Sequence, residues 1–370
     1  MRNWLSFLGW PTVCGILAGL LLANWLDEGT DGTASATGGP YSYADAVQRA
    51  SPAVVNIYTT KRVRTPLNPL AGDPFFRLFF DRGDLRQQER IQRSLGSGVI
   101  IDDNGYLLTN NHVIRGADEI LVLLHDGREA LAKVIGSDPE TDLAVLKIDL
   151  DRLEPITIGN PDQVRVGDVV LAIGNPYGFG HSVSQGIISA TGRYGLRLAT
   201  YEDYLQTDAA INPGNSGGAL VDARGRLLGI NSAIYTQSGG SSGIGLAIPA
   251  DQAMRTMRDL IEYGRPMRGW LGIEVQRLRG ADGSAPAGGN GVVVTAIARD
   301  GPAARAGLQL GDLLLTINGQ PVGDGHAGMN LIGTTRPGET VRLQVQRDGR
   351  QLELVIIVGV RPAVREVEPS

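Results

Sequence analysis

Between residues 53 and 148 the chain is a succession of short apolar runs, each closed by turn formers. Ala53–Tyr58, Ser97–Ile101, Tyr106–Thr109, Ile120–Leu124, Ala130–Ile135 and Leu143–Ile148 carry Val, Ile and Leu, while Asp103-Asn104-Gly105, His125-Asp126-Gly127 and Asp138–Asp142 stand between them. Runs of this length with tight turns predict antiparallel strands, and the spacing leaves no room for the crossover helices that a parallel α/β sheet requires. The 51 glycines agree with that reading. The fold class is therefore mainly β, with small barrels as its natural closure.

A chain of 370 residues exceeds one ordinary core and divides into at least two domains. Its charged fraction of 20% and net charge of −5, without long Lys/Arg runs, give no footprint for nucleic acid. Trp4 to Leu26 is 23 residues without a charge, long enough to cross a bilayer as a helix. Arg2 precedes it, and Asp27, Glu28 and Asp31 follow, so the positive-inside rule leaves the remainder of the chain outside the cytoplasm. The competing reading is a cleaved signal peptide, whose apolar core is usually shorter. The one cysteine, Cys14, lies within this segment and supplies no intramolecular disulfide. The reading is a membrane anchor over 1–26 and a flexible tether over 27–40.

Tyr41 to Gln48 suits a short helix ended at Ser51-Pro52. Arg62 to Arg93, with Phe75, Phe76, Phe79 and Phe80 among charges and turn formers, reads as a long surface loop. Further on, Gly214-Asn215-Ser216-Gly217-Gly218 puts a serine among glycines ahead of the apolar run Ala219-Leu220-Val221. Such a backbone bends sharply and turns N–H groups toward one point beside the hydroxyl, the arrangement an oxyanion hole needs. Gly214, Asn215 and Ser216 are the candidate donors.

Serine is a poor nucleophile until a base takes its proton, and imidazole titrates in the right range to do so. His112 stands where the strand Tyr106–Thr109 ends, and Asp142 stands just before the strand Leu143–Ile148. His125, His181 and His326 lie in turn-like or glycine-rich surroundings with no comparably placed carboxylate. The candidate set is His112 as base, Asp142 as its orienting carboxylate and Ser216 as nucleophile. No HExxH or paired-cysteine pattern occurs, so neither a metal nor another cofactor is expected.

The order His, Asp, Ser is that of the chymotrypsin-like proteases. Thr109-Asn110-Asn111-His112-Val113, Thr141-Asp142-Leu143-Ala144-Val145 and Gly214-Asn215-Ser216-Gly217-Gly218-Ala219-Leu220 resemble the three motifs of the HtrA/Deg family. The resemblance extends from about Tyr41 to the C-terminus. It implies two six-stranded barrels with the site between them, over 41–250. Asn215 occupies the place of the trypsin Asp that pairs with a freed N-terminus, so activation must work differently. Ala210, six residues before the serine, replaces the Asp that selects Lys and Arg. By resemblance Ile211, Ile234 and Tyr235 line the same S1 pocket, which implies cleavage after small or medium aliphatic residues. Resemblance also assigns the stretch around Arg193, with Gln206, to a sensor loop that relays the state of the next domain.

Met254, Met257, Leu260 and Ile261 form a helical stripe ended by Gly264, a linker helix over 251–265. Gly301–Leu308 and Gly311–Gly319 resemble the signature of a PDZ domain, placed over 266–362 and followed by a tail over 363–370. PDZ domains hold a free carboxylate on consecutive backbone N–H groups and add the peptide to a sheet edge. Trp270, Leu271, Gly272 and Ile273 match the carboxylate loop, with Met329 and Ile332 on the far wall of the groove. One PDZ unit after one protease unit and a tether resembles the DegS/AlgW branch of the family. That branch implies a trimer on the bacterial inner membrane, with its catalytic part in the periplasm. It also implies C-terminal peptides of misfolded outer-membrane proteins as activators, and a membrane-bound anti-sigma factor as substrate in the envelope stress response. A general quality-control protease and a peptide-binding scaffold with an incidental triad are the other readings.

Overall fold

The computed structural model describes residues 42–66, 87–174, 182–212, 214–234, 243–277, 291–323 and 325–362. The proposed anchor and tether, the four phenylalanines of the long loop, Tyr235 and the C-terminal tail lie outside them. No helix among the described residues is long and apolar enough to cross a membrane.

A helix, Ala44–Ala50, and one 3-10 turn at Ser51–Ala53 lead into the first sheet. Its strands are β1 (Val54–Pro66), β2 (Gln87–Ile100), β3 (Tyr106–Asn110), β4 (Glu119–Leu123), β5 (Glu129–Leu131), β6 (Lys133–Asp138) and β7 (Leu143–Lys147). The ladder order is β5-β4-β1-β2-β3-β7-β6. The sequence predicted one strand over Ala130–Ile135, whereas the chain bends there. β5 pairs with β4, β6 pairs with β7, and Ala132 between them donates its N–H to Ile120 O at 2.9 Å. The bent strand therefore carries the sheet round to its own start, a barrel of six strands with one corner. The β1–β2 ladder runs out to Pro66 opposite Gln87, so both ends of the presumed surface loop are paired strand.

A closed six-stranded barrel follows, in the order β10-β13-β12-β11-β8-β9. Its strands are β8 (Val169–Gly174), β9 (Ser182–Arg193), β10 (Tyr204–Thr207), β11 (Ala219–Asp222), β12 (Leu227–Ile234) and β13 (Gly245–Pro249). Every residue of β13 is buried, as is Leu143 to Leu146 of β7, because these strands are covered on both faces. Each large aliphatic side chain so buried contributes about 1.5–3 kcal/mol.

The helix Ala250–Tyr263 packs on strands of both barrels, and Gly264 caps it in the left-handed conformation at φ 69°. Its buried face is Ala250, Ala253, Met257 and Leu260. Ile261 is exposed, so the face is rotated from the predicted stripe. The remaining strands are β14 (Gly269–Trp270), β15 (Ile273–Arg277), β16 (Val292–Ile297), β17 (Leu313–Ile317), β18 (Gln320–Pro321), β19 (Thr340–Arg347), β20 (Arg350–Ile357) and β21 (Gly359–Val360). They form a sheet ordered β15-β16-β17-β19-β20, with β18 on β17, and a two-stranded pair of β14 with β21. In β19, Val341, Leu343 and Val345 are buried while Arg342, Gln344 and Gln346 face water, the period-two pattern of a sheet covered on one side. The helix Gly325–Thr334 lies against this sheet.

Candidate active site

Asp142 sits between β6 and β7 at φ +58°, a conformation that Asp tolerates better than most side chains. The turn is held from β3. Asn110 Nδ2 and Asn111 N–H both donate to Asp142 O, at 3.0 and 3.1 Å. His112 lies not in a strand but in the one-turn helix Asn111–Ile114 that leaves β3. That turn brings His112 N–H to Asp142 Oδ1 at 2.9 Å and His112 Nδ1 to Oδ2 at 2.6 Å. The Nδ1 contact sets the ring's tautomer, with Nδ1–H donating and Nε2 left as the base, while the backbone bond holds the carboxylate in place. The side chain of His112 is 44% exposed and that of Asp142 15%, so the imidazole alone reaches the cleft. Ser232 Oγ, on β12, donates to Asp142 Oδ2 at 3.2 Å.

The nucleophile loop is tied to both barrels. Ser97 N–H on β2 donates to Ser216 O at 2.8 Å, and Ser97 Oγ to Gly214 O at 2.7 Å. Gly217 N–H donates to Asn231 O at 2.7 Å, and Asn231 N–H to Gly218 O at 2.9 Å. Gly217 takes φ +84°, and a Cβ there would overlap Ser97 O and Thr109 Oγ1, which only glycine avoids. Thr109 is three residues before His112, and Asn231 adjoins Ser232. Ser216, His112 and Asp142 thus converge on the seam between the barrels. Among the described residues the Ser216 hydroxyl makes no hydrogen bond to His112; in the free state such catalytic contacts are commonly long and tighten with substrate.

The N–H groups of the loop divide cleanly. Asn215 N–H donates to Asn212 O at 2.9 Å, Gly217 N–H to Asn231 O and Gly218 N–H to Asn215 O. Those of Gly214 and Ser216 donate to no acceptor among the described residues. Asn215 is therefore not an oxyanion donor, contrary to the sequence expectation: its N–H closes a turn within the loop. Ile211 is 1% exposed and belongs to the core of the second barrel, beside Gly245. Ala210 is half-buried, its carbonyl accepting Ser184 Oγ at 2.7 Å. Ile234 ends β12.

Arg193 and Gln206 meet: Arg193 Nε donates to Gln206 Oε1 at 2.9 Å. Glu202 accepts N–H bonds from Leu196, Leu198 and Ala199 at 2.7, 2.6 and 3.2 Å, and so gathers the loop after Arg193. Glu202 also meets Asn330 of the helix Gly325–Thr334 by two hydrogen bonds. Beside it, Tyr201 packs against Gly333 under the Arg268 guanidinium, 4.5 Å from the ring centre, and burial pushes its phenol up.

In the third unit the carbonyls of Leu271 and Gly272 accept N–H bonds from Ala303 and Ala298, at 3.0 and 2.8 Å. In a trans peptide N–H and C=O point opposite ways. The N–H groups of Gly272 and Ile273 therefore face away from those carbonyls. Among the described residues β15 pairs only with β16, and its other edge lies beside the helix, where Gly325 is close to Val275. Met329 and Ile332 are half-buried on that helix, and Ile332 packs on the core. Leu271 is buried in the same core, and Trp270 lies against Gly272. Among the described residues no cluster of His, Cys, Asp or Glu is placed to hold a metal ion.

Two barrels with a His–Asp pair and a glycine-rich serine loop at their seam define a trypsin-like hydrolase. A trypsin-like peptidase domain model matches residues 96–230 and a PDZ domain model residues 269–358. A probable periplasmic serine endoprotease, DegP-like, from Pseudomonas putida (strain W619) is 43% identical over 341 residues, 86% of this chain and 70% of that protein. Its counterpart in Pseudomonas savastanoi pv. phaseolicola is 45% identical, over 92% of this chain and 75% of that one. Among solved structures, the HtrA-type protease AlgW with a decapeptide is 55% identical, with a TM-score of 0.69 over 87% of this chain and 100% of the other. A serine endoprotease from Yersinia pestis is 40% identical, with a TM-score of 0.60 over 88% of this chain and 100% of that one. The chain belongs to the HtrA family and is a serine endoprotease of the periplasmic HtrA type, with one trypsin-like domain and one PDZ domain.

Sequence reasoning missed Ser232 and Ser97. A lone serine within an apolar strand carries no signal of its own, and only the strand register brings each to the site.

Proposed function

We propose that Ser216 attacks the scissile carbonyl while His112 takes its proton, that Asp142 stabilises the resulting imidazolium, and that the Gly214 and Ser216 N–H groups hold the oxyanion. The carrying observation is the His112–Asp142 pair, joined by two hydrogen bonds, beside a serine loop in which the Gly214 and Ser216 N–H groups have no acceptor among the described residues. By the family resemblance Ala210, Ile211, Ile234 and Tyr235 line an apolar S1 pocket, which suits cleavage after small or medium aliphatic residues. A majority of cuts after Lys or Arg in a digest of denatured protein would rule that out.

The PDZ groove, with the Gly272 and Ile273 N–H groups at one end and Trp270, Leu271, Met329 and Ile332 around it, takes the C-terminus of another protein. Its contacts with the protease domain support a regulatory reading. Arg268 pairs with Asp138, and Arg361 donates to Glu140 at 2.8 and 3.0 Å and to Tyr201 Oη at 2.8 Å. Asp138 in turn accepts from Glu140 N–H and Thr141 Oγ1, so both arginines hold the segment that ends in Asp142. Peptide binding that shifts the helix Gly325–Thr334 changes the contacts of Glu202 and Tyr201, and with them the loop of Arg193 and Gln206. In energetic terms the peptide must bind the active arrangement more tightly than the resting one.

The 55% identity to AlgW, against 43–45% to the DegP-like proteins, favours a stress-sensing protease over general quality control. In this reading the protein is a trimer held on the inner membrane by its N-terminal helix. There it cuts a membrane-bound anti-sigma factor when C-termini of misfolded outer-membrane proteins fill the groove. Titration of the full chain with hydrophobic C-terminal peptides tests this: cleavage rises and saturates if the groove is a sensor, and equal rates with and without peptide remove the sensor but leave the protease.

A further inference from the structure

We infer that Ser97 is a positioning residue for the oxyanion site. It comes from the first barrel, in the sequence Leu95-Gly96-Ser97-Gly98 of β2, and is fully buried. Its two donors go to two carbonyls of the second barrel's loop: Oγ to Gly214 O at 2.7 Å and N–H to Ser216 O at 2.8 Å. Gly214 and Ser216 are also the two residues of the loop whose N–H groups have no acceptor among the described residues. One side chain and its own backbone therefore hold the carbonyl ends of the two residues that must present their N–H groups to substrate.

The Gly214 carbonyl has particular need of that hold. Gly214 takes φ +101°, where glycine moves freely and where the carbonyl has several orientations of similar energy. That carbonyl shares its peptide plane with Asn215 N–H, so a turn of it would break the bond to Asn212 O and displace the Gly214 and Ser216 N–H groups on either side. The Ser97 hydroxyl selects one orientation. Ser97 is itself fixed from behind, since Thr109 Oγ1 donates to Ser97 O at 2.7 Å. Thr109 is on β3, which leads directly to His112, so the oxyanion site and the general base share one rigid support. The effect of the hydroxyl passes through Gly214.

This rests on the assignment of Ser216 as nucleophile, and the test separates the two. In the full chain, Ser97→Ala, Ser97→Cys and Ser216→Ala are compared with the unchanged protein on fluorescein-labelled casein. A peptidyl boronate with a terminal valine analogue serves as mimic of the tetrahedral state, and melting temperature is followed alongside. The expected result is a fall in kcat of about 10- to 100-fold for Ser97→Ala, smaller than the loss on deleting an oxyanion donor outright. KM should change less than about twofold, and boronate affinity should fall in step with kcat. Ser97→Cys, which keeps the volume and weakens the donor, should lie between and covers the case in which the alanine variant does not fold. Equal loss in KM and kcat, or boronate affinity unchanged while kcat falls, overturns the inference, as does full activity in Ser97→Ala. Activity persisting in Ser216→Ala overturns the assignment beneath it as well.

Discussion

At the scale of single residues, the site depends on a few positions where geometry leaves one acceptable side chain. Gly217 is the sharpest case. With φ +84° and with Ser97 O and Thr109 Oγ1 against its α-carbon, Gly217→Ala must move either the nucleophile loop or β2. The expected outcome is cleavage reduced at least about a hundredfold and stability lowered by about 2 kcal/mol or more, read from casein hydrolysis and a urea midpoint. Retained activity would mean that the loop is free to relocate. His112, Asp142 and Ser216 were legible in the sequence because each lies in a block whose residue types serve one chemistry. Ser97, Asn231 and Ser232 were not, because their roles come from partners 12 to 117 positions away, brought close by strand register. The same limit explains Asn215: that its N–H closes a turn, instead of facing substrate, is a matter of which carbonyl lies three residues back.

At the scale of elements, strand positions were readable from apolar runs, but corners and faces were not. Nothing in Ala130–Ile135 marks the bend at Ala132, which is imposed by closing the barrel. The linker helix was evident from its period and its Gly264 cap, yet the buried face turned out rotated, because Leu260 packs against Gly136 and leaves Ile261 outside. In the PDZ unit, one ion pair joins elements that the apolar pattern does not relate. Arg347 of β19 donates to both oxygens of Asp312 at 2.7 Å, and Gln309 N–H donates to Asp312 Oδ2 at 2.8 Å. The hydrogen bonds from Arg347 hold the Asp312 carboxyl below its ordinary value. A lowered folded-state value means that the contribution is complete above about pH 4, the range of the unfolded carboxylate, and is lost as pH falls through the lowered value. Asp312→Asn should therefore weaken the PDZ unit at neutral pH, since it leaves a guanidinium without its charge partner. The deficit should shrink in acid. Urea unfolding followed at pH 7 and pH 3 reads both, and an equal deficit at the two values would place the effect in packing.

At the scale of the whole molecule, the two arginines that join the PDZ unit to the segment 138–142 are the natural place for control. Arg361→Ala removes the bonds to Glu140 and Tyr201 together. If those bonds favour a resting arrangement, basal cleavage rises and the added effect of peptide shrinks; if they support the active one, basal cleavage falls. No change in either quantity would mean that this contact is structural only. Such coupling was beyond the reach of the sequence, where Glu140 and Arg361 are 221 positions apart. The most direct test of the central claim is labelling of the full chain with a fluorophosphonate, followed by mass spectrometry of the modified peptide, with and without a hydrophobic C-terminal peptide. The account predicts label on Ser216, lost in His112→Ala and increased by the peptide. Label on another residue, or none on Ser216 while casein is still cleaved, would contradict it.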